Sequence, residues 1–130
     1  MDDLLLETFT SEAYKKKYRL NTPLEFKEAF DTISKKQTGK FFTLLCSNNK
    51  KTYFRLGLVV PKKQIPLAVD RNKIKREIRE FFRCFIKNDM SFNKKFDVIV
   101  LVKSPAKLLT PKQINEELEI QWNKLKNKQS

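Results

Sequence analysis

Seven side chains between residues 71 and 83 carry the strongest chemical signal in this sequence: Arg71, Asn72, Lys73, Lys75, Arg76, Arg79 and Arg83. On a helix, at about 100° per residue, Lys75, Arg79, Asn72, Arg83, Arg76 and Lys87 fall on one arc. Ile74, Ile78, Phe81, Phe82 and Phe85 occupy the neighbouring arc as a buried stripe, and Glu77 and Glu80 lie beyond the bases. A merely solvated helix laced with i,i+4 ion pairs mixes its signs all round. Here the bases gather on one flank, as they do where a surface meets a polyanion. Arginine adds a planar fork that grips a phosphate with two hydrogen bonds and stacks on a base, whereas lysine acts as a point charge. Arg71 and Asn72 also sit near the helix start, where backbone N–H groups favour an anion. The chemistry on offer is phosphate binding.

Bond-breaking chemistry is harder to build from this chain. Its 130 residues contain no histidine, which removes Ser-His, Cys-His and His-metal mechanisms. Glycine occurs only at Gly39 and Gly57, so neither a phosphate-cradling loop nor a dinucleotide fingerprint is present. Cys46 and Cys84 stand far apart in apolar contexts and are expected to be buried free thiols. Asp97 interrupts an apolar run without a second carboxylate nearby, which suits a local hydrogen-bonding role better than a metal site. No catalytic residue and no metal ligand is predicted, and a protein-only nuclease of the two-metal type lacks its clustered acids.

The elements that must position these bases follow from length and pattern. A chain of this length is expected to form one domain, and 40% hydrophobic content is enough for a core without disulfide or metal. Residues 1–12 carry Asp2, Asp3, Glu7 and Glu12 and no base, so the net charge of +13 divides into an acidic −4 segment and a +17 remainder. These twelve residues are expected to be a loose extension on a single RNA-binding domain over 13–130. Between residues 32 and 69 no acid occurs at all, although eight bases do, Lys62 and Lys63 among them. The acidic start lacks the positive charge of a secretory signal and no apolar run approaches 18 residues, so no membrane contact and a cytoplasmic location are expected.

Thr22-Pro23-Leu24-Glu25 is a capping-box start for a first helix, with Phe26, Ala29, Phe30 and Ile33 at helical spacing and a stop before Gly39. Phe41–Cys46 and Tyr53–Val60 read as strands around a Ser47-Asn48-Asn49-Lys50 turn. A second helix covers about Asp70–Lys87, and Phe96–Val102 reads as a central strand. A last helix starts at Thr110-Pro111-Lys112-Gln113 and aligns Ile114, Leu118, Trp122 and Leu125 on one face. The expected class is α+β, a two-layer sandwich of order α-β-β-α-β-α with room for an extra strand and with the sheet packed on helices. Phe41, Phe42, Tyr53 and Phe54 alternate along strands, so about half face the helices; parity alone does not say which half.

Arg71-Asn72-Lys73-Ile74-Lys75-Arg76, followed by Arg79-Glu80 and Phe82-Arg83, resembles the signature of the bacterial ribonuclease P protein subunit. Further blocks follow in family order: Tyr18-Arg19-Leu20 before Phe26 and Phe30, Arg55-Leu56-Gly57-Leu58 before Lys62-Lys63 and Ala68-Val69, then Phe96-Asp97-Val98-Ile99. The likeness spans about residues 17–125. It departs from the family at Pro61-Lys62-Lys63-Gln64-Ile65-Pro66-Leu67 and in the acidic residues 1–12.

The resemblance implies an α/β sandwich with a left-handed crossover, bound to a large catalytic RNA that removes the 5′ leader of precursor tRNA in a Mg²⁺-dependent hydrolysis. The magnesium is held by the RNA-containing holoenzyme, and no obligate protein partner is implied. Lys62, Lys63, Arg71, Asn72, Lys73, Lys75, Arg76, Arg79 and Arg83 are then expected on the catalytic RNA. Phe26, Phe30, Phe42 and Arg55 are expected in a cleft for the leader. The alternative is a ribosomal or other structural RNA-binding protein, which would share the basic helix but not discriminate precursor from mature tRNA.

Overall fold

The computed structural model describes residues 18–48, 53–86 and 96–128. The 1–12 extension, Asn49 and Lys50 of the expected turn, and Lys87 lie outside the described residues.

Helix α1 (Pro23–Asp31) starts where the capping box places it: Glu25 N donates to Thr22 Oγ1 at 3.2 Å, and Glu25 Oε1 accepts from Thr22 N at 3.0 Å. It ends seven residues earlier than its expected stop before Gly39. Strand β1 (Ile33–Thr38) follows instead, so Ile33 leaves the helical stripe and is 37% exposed. The residues from Ile33 to Thr38 offer no second apolar stripe for a helix to bury. As a strand they satisfy their backbone against β2 (Phe42–Asn48), in an antiparallel pair that runs from Ile33 opposite Ser47 to Thr38 opposite Thr43. The extra strand of the sheet thus comes from residues expected in the first helix, and Lys35 and Lys36 mark it as an edge.

Strand β3 (Arg55–Val59) leads through the Pro61–Leu67 loop into α2 (Ala68–Phe81), which continues as a π-helical turn over Phe82–Ile86. Strand β4 (Phe96–Val102) pairs antiparallel with β2 and parallel with β3, so the sheet order is β1-β2-β4-β3 and the apolar run is interior, as its composition requires. A 3₁₀ turn (Ser104–Leu108) then leads to α3 (Pro111–Lys126), whose Thr110–Gln113 capping box also forms.

One face of the sheet, with Phe42, Leu44, Cys46, Leu56, Val98, Val100 and Val102, packs on α2 and α3. Ile74, Ile78, Phe81 and Phe82 on α2 and Ile114, Leu118, Trp122 and Leu125 on α3 fill that core. Burial of each such side chain contributes roughly 1.5–3 kcal/mol, enough to override the modest helix propensity of β-branched and aromatic residues. Phe85, placed on the same stripe by the wheel, is 46% exposed, because the chain has passed into the wider π turn and the ring stacks on Phe81 instead, 5.0 Å between centroids. The opposite face carries a smaller cluster, Leu45 and Ile99 with Leu20, Ala29 and the half-buried Phe26, and α1 lies across it. The α+β class holds, with α1 as a third, partial layer.

Candidate nucleic-acid interface

Helix α1 is fixed to its sheet face at both ends. Arg55 donates from Nε and a terminal nitrogen to the two oxygens of Asp97, both at 2.8 Å, and from its other terminal nitrogen to Glu25 Oε2 at 3.0 Å. Residues 55 and 97 are register partners on β3 and β4, so the fork meets the carboxylate across the sheet. Asp97 is 3% exposed and interrupts the apolar strand because Arg55 accompanies it. Its hydrogen bonds hold the Arg55 guanidinium more firmly protonated than usual, while backbone N–H donors from Asn21 and then Thr22, helped by Arg55, hold the Glu25 carboxyl below its ordinary range. At the far end of α1 the hydroxyls of Thr32 and Ser47 hydrogen-bond at 2.5 Å.

Between these ends Phe26 lies on Gly57. A Cβ at residue 57 would stand 2.8 Å from Phe26 Cε1 and 2.8 Å from Leu20 Cδ1, so only glycine lets the ring come this close to the sheet. That approach sets one wall of an open groove of about 790 Å³. Phe26, Phe30 and Lys27 of α1 face the end of β3 and Pro61, and Lys75 reaches in from α2. The rings of Phe26 and Phe30 lie 6.5 Å apart at 30°, and Phe30 is 40% exposed. An apolar floor with cations on its rim can stack unpaired bases and hold their phosphates.

The structure sorts the remaining bases. Lys62 and Lys63 are exposed in a turn closed by Ile65 N donating to Pro61 O at 2.9 Å, directly beyond the groove wall. Asn72 and Arg76 are exposed on α2, and Lys75 and Arg79 are half-buried on the same flank. Arg83, also exposed, pairs with Glu80 on its own helix. Arg71 and Lys73 turn inward. Arg71 donates to the carbonyls of Ile65 at 3.0 Å and Pro66 at 2.7 Å, and Lys73 Nζ donates to Leu109 O at 3.1 Å. Both therefore brace the start of α2 against neighbouring loops.

Two expected groove residues lie elsewhere. Phe42 is fully buried, because its position in β2 points it at α2 and α3, into the main core. Arg55 is held by Asp97 and Glu25 behind α1 and does not line the groove. Sequence reasoning in turn missed Lys27 and the Leu58–Pro61 wall, whose only signal is adjacency to Phe26 and to the Arg55-Leu56-Gly57-Leu58 block. Cys46 is buried, and burial pushes its thiol up to about 12; Cys84, expected inside, is exposed on the π turn.

The two carboxylates behind α1 are already engaged. Glu25 and Asp97 are occupied by Arg55 and backbone donors, and among the described residues no three His, Cys, Asp or Glu side chains gather. No helix among the described residues is long and apolar enough to cross a membrane.

Comparison with known proteins agrees with this geometry. The family model described as Ribonuclease P matches residues 14–126. The ribonuclease P protein component of Ectopseudomonas mendocina is 36% identical over 115 residues, covering 88% of this chain and 83% of that protein. Among solved structures, the Staphylococcus aureus RNase P protein superposes with a TM-score of 0.73 at 35% identity, covering 85% of this chain and 98% of that one. The RNase P protein of Thermotoga maritima gives 0.67 at 29% identity, with 86% and 98% covered. A basic helix, an aromatic groove beside it and a match over nearly the whole chain have one common explanation: this chain belongs to the bacterial ribonuclease P protein family.

Proposed function

We propose that the chain is the protein subunit of ribonuclease P. It binds the catalytic RNA with the exposed flank of α2 and holds the 5′ leader of precursor tRNA in the α1 groove, assisting Mg²⁺-dependent endonucleolytic release of the leader. The carrying observation is that Lys75 belongs to both surfaces, lying on the basic flank of α2 while lining the groove with Phe26 and Phe30. One continuous path thus joins a cationic face to an aromatic one. Stacking on an exposed ring contributes roughly 1–3 kcal/mol per base and tolerates any sequence, which suits a leader that differs between tRNAs. Lys62, Lys63, Asn72, Lys75, Arg76, Arg79 and Arg83 screen phosphate repulsion, while Arg71 and Lys73 keep the helix in place.

Hydrolysis is left to the RNA, which also holds the magnesium; Glu25 and Asp97 serve to hold Arg55 behind α1. The holoenzyme works in the cytoplasm, where precursor tRNA is made. Reconstitution with the cognate catalytic RNA at low Mg²⁺ tests the reading. Cleavage is expected to rise on adding the protein, and binding to favour precursor over mature tRNA; unchanged cleavage, or equal binding of the two tRNAs, refutes it.

A further inference from the structure

The segment before α1 brings another arginine to the basic helix. Tyr18–Leu20 runs beside β3, with Leu20 N donating to Leu56 O at 2.9 Å and Leu56 N donating to Tyr18 O at 2.8 Å, and Arg19 pairs with Leu56 in a parallel bridge. Paired residues on neighbouring strands point to the same face. Leu56 enters the core beneath α2, so Arg19 stands on the α2 side of the sheet edge. Arg79 follows Ile78, which enters that same core. The two guanidiniums are close enough for the charge of Arg19 to add to burial in disfavouring the protonated form of Arg79.

Among the described residues neither guanidinium has an ion-pair partner. The Nε of Arg79 is shut off from solvent without a hydrogen-bond acceptor. Three acids are engaged with other arginines, Glu25 and Asp97 with Arg55 and Glu80 with Arg83. The other partly buried guanidiniums of α2 and its neighbouring strand do find acceptors: Arg55 donates three bonds to carboxylates and Arg71 two to backbone carbonyls. The Arg19–Arg79 pair has the desolvation and the like-charge repulsion but, among the described residues, no anion.

The geometry points to a phosphate-binding site shared by Arg19 and Arg79, taking a phosphodiester of the single-stranded RNA that continues from the α1 groove. Two planar forks can share the oxygens of one tetrahedral anion. Lys75 lies four residues before Arg79, roughly 6 Å along the axis, and lines the groove, so a strand leaving the aromatic floor meets Lys75 and then the arginine pair. This inference rests on the RNA-binding reading and adds to it a residue outside the basic helix.

The experiment uses the full chain, with inorganic phosphate and a single-stranded RNA oligonucleotide as separate probes. Phosphate should raise the melting temperature of the wild type above that in chloride of equal ionic strength, and Arg19→Ala should abolish most of that gain. For RNA, Arg19→Ala should lower the slope of log affinity against log salt by about 0.7, the loss of one single-strand phosphate contact. Arg79→Lys should keep the slope and weaken binding several-fold, because the charge stays while the fork is lost. Lys112→Ala, on the first turn of α3, should leave the phosphate effect at the wild-type value.

An Arg19→Ala protein that keeps both the phosphate effect and the wild-type slope overturns the site, as does an Arg79→Lys protein with undiminished affinity. If reconstitution with catalytic RNA fails while phosphate still stabilises through Arg19, the site stands for the free anion and the ribonuclease reading falls. If reconstitution succeeds and Arg19→Ala matches the wild type in both assays, the site alone falls.

Discussion

Asp97 and Arg55 depend on each other in a way that a single substitution exposes. The carboxylate is nearly inaccessible and both its oxygens accept from one guanidinium. Asp97→Asn leaves a largely buried cation with Glu25 as its remaining charged partner, and breaking a buried pair this way costs about 3–5 kcal/mol. Urea unfolding at pH 7 should show that loss, and replacing the pair together by Arg55→Met and Asp97→Leu should recover much of it. Gly57 makes a different demand, for space. In Gly57→Ala the new Cβ would meet Leu20 and Phe26 at 2.8 Å, so Phe26 must shift and carry its groove wall along. Overpacking of this kind costs about 1–3 kcal/mol. Binding of precursor tRNA by the holoenzyme should weaken as well, beyond what the stability loss alone removes, as a titration of properly folded variant against wild type would show.

At the scale of elements, α1 is a short helix whose position matters more than its own stability. Its Glu25 closes the capping box and also reaches Arg55, and its carboxyl titrates below the ordinary 4.5 as a result. A group whose pKa is depressed on folding stabilises the fold above its unfolded value and loses that contribution as pH falls through the folded one. Glu25→Gln should therefore be less stable than the wild type at pH 7, and the difference should shrink as pH falls below about 4.5. Denaturation curves at pH 7 and pH 3 check the sign. The start of α1 was legible because Thr22, Pro23 and Glu25 are local signals. Its end was not, since nothing within residues 33–38 outweighs the apolar spacing of Ile33, and the preference for strand comes from pairing with β2, distant in sequence. Phe42 was ambiguous for the same reason: alternation says that neighbours face opposite ways, and only the packing of α2 and α3 decides which way is inward.

For the whole molecule, the charge total was readable as an affinity for polyanions, and the basic helix as its focus. The division of labour within that helix was not readable, because it depends on loops that fold back onto it. Arg76 is exposed on the flank, whereas Lys73 donates to Leu109 O at the start of α3 and links two parts of the chain 36 residues apart. The motif therefore separates into contact and brace. Arg76→Ala should leave stability within about 0.5 kcal/mol of the wild type, as surface changes do, yet lower the salt slope of binding to the catalytic RNA by about 0.7–0.9. Lys73→Ala should do the reverse, costing about 1 kcal/mol for a lost partly buried hydrogen bond while the slope stays. With about six phosphates neutralised, wild-type affinity should fall on the order of a thousandfold between 50 and 200 mM salt, so both variants must be compared along the full series. Equal slopes for wild type and Arg76→Ala would remove the exposed flank of α2 from the RNA interface; a lowered slope for Lys73→Ala would show that its ammonium leaves Leu109 for a phosphate when RNA binds.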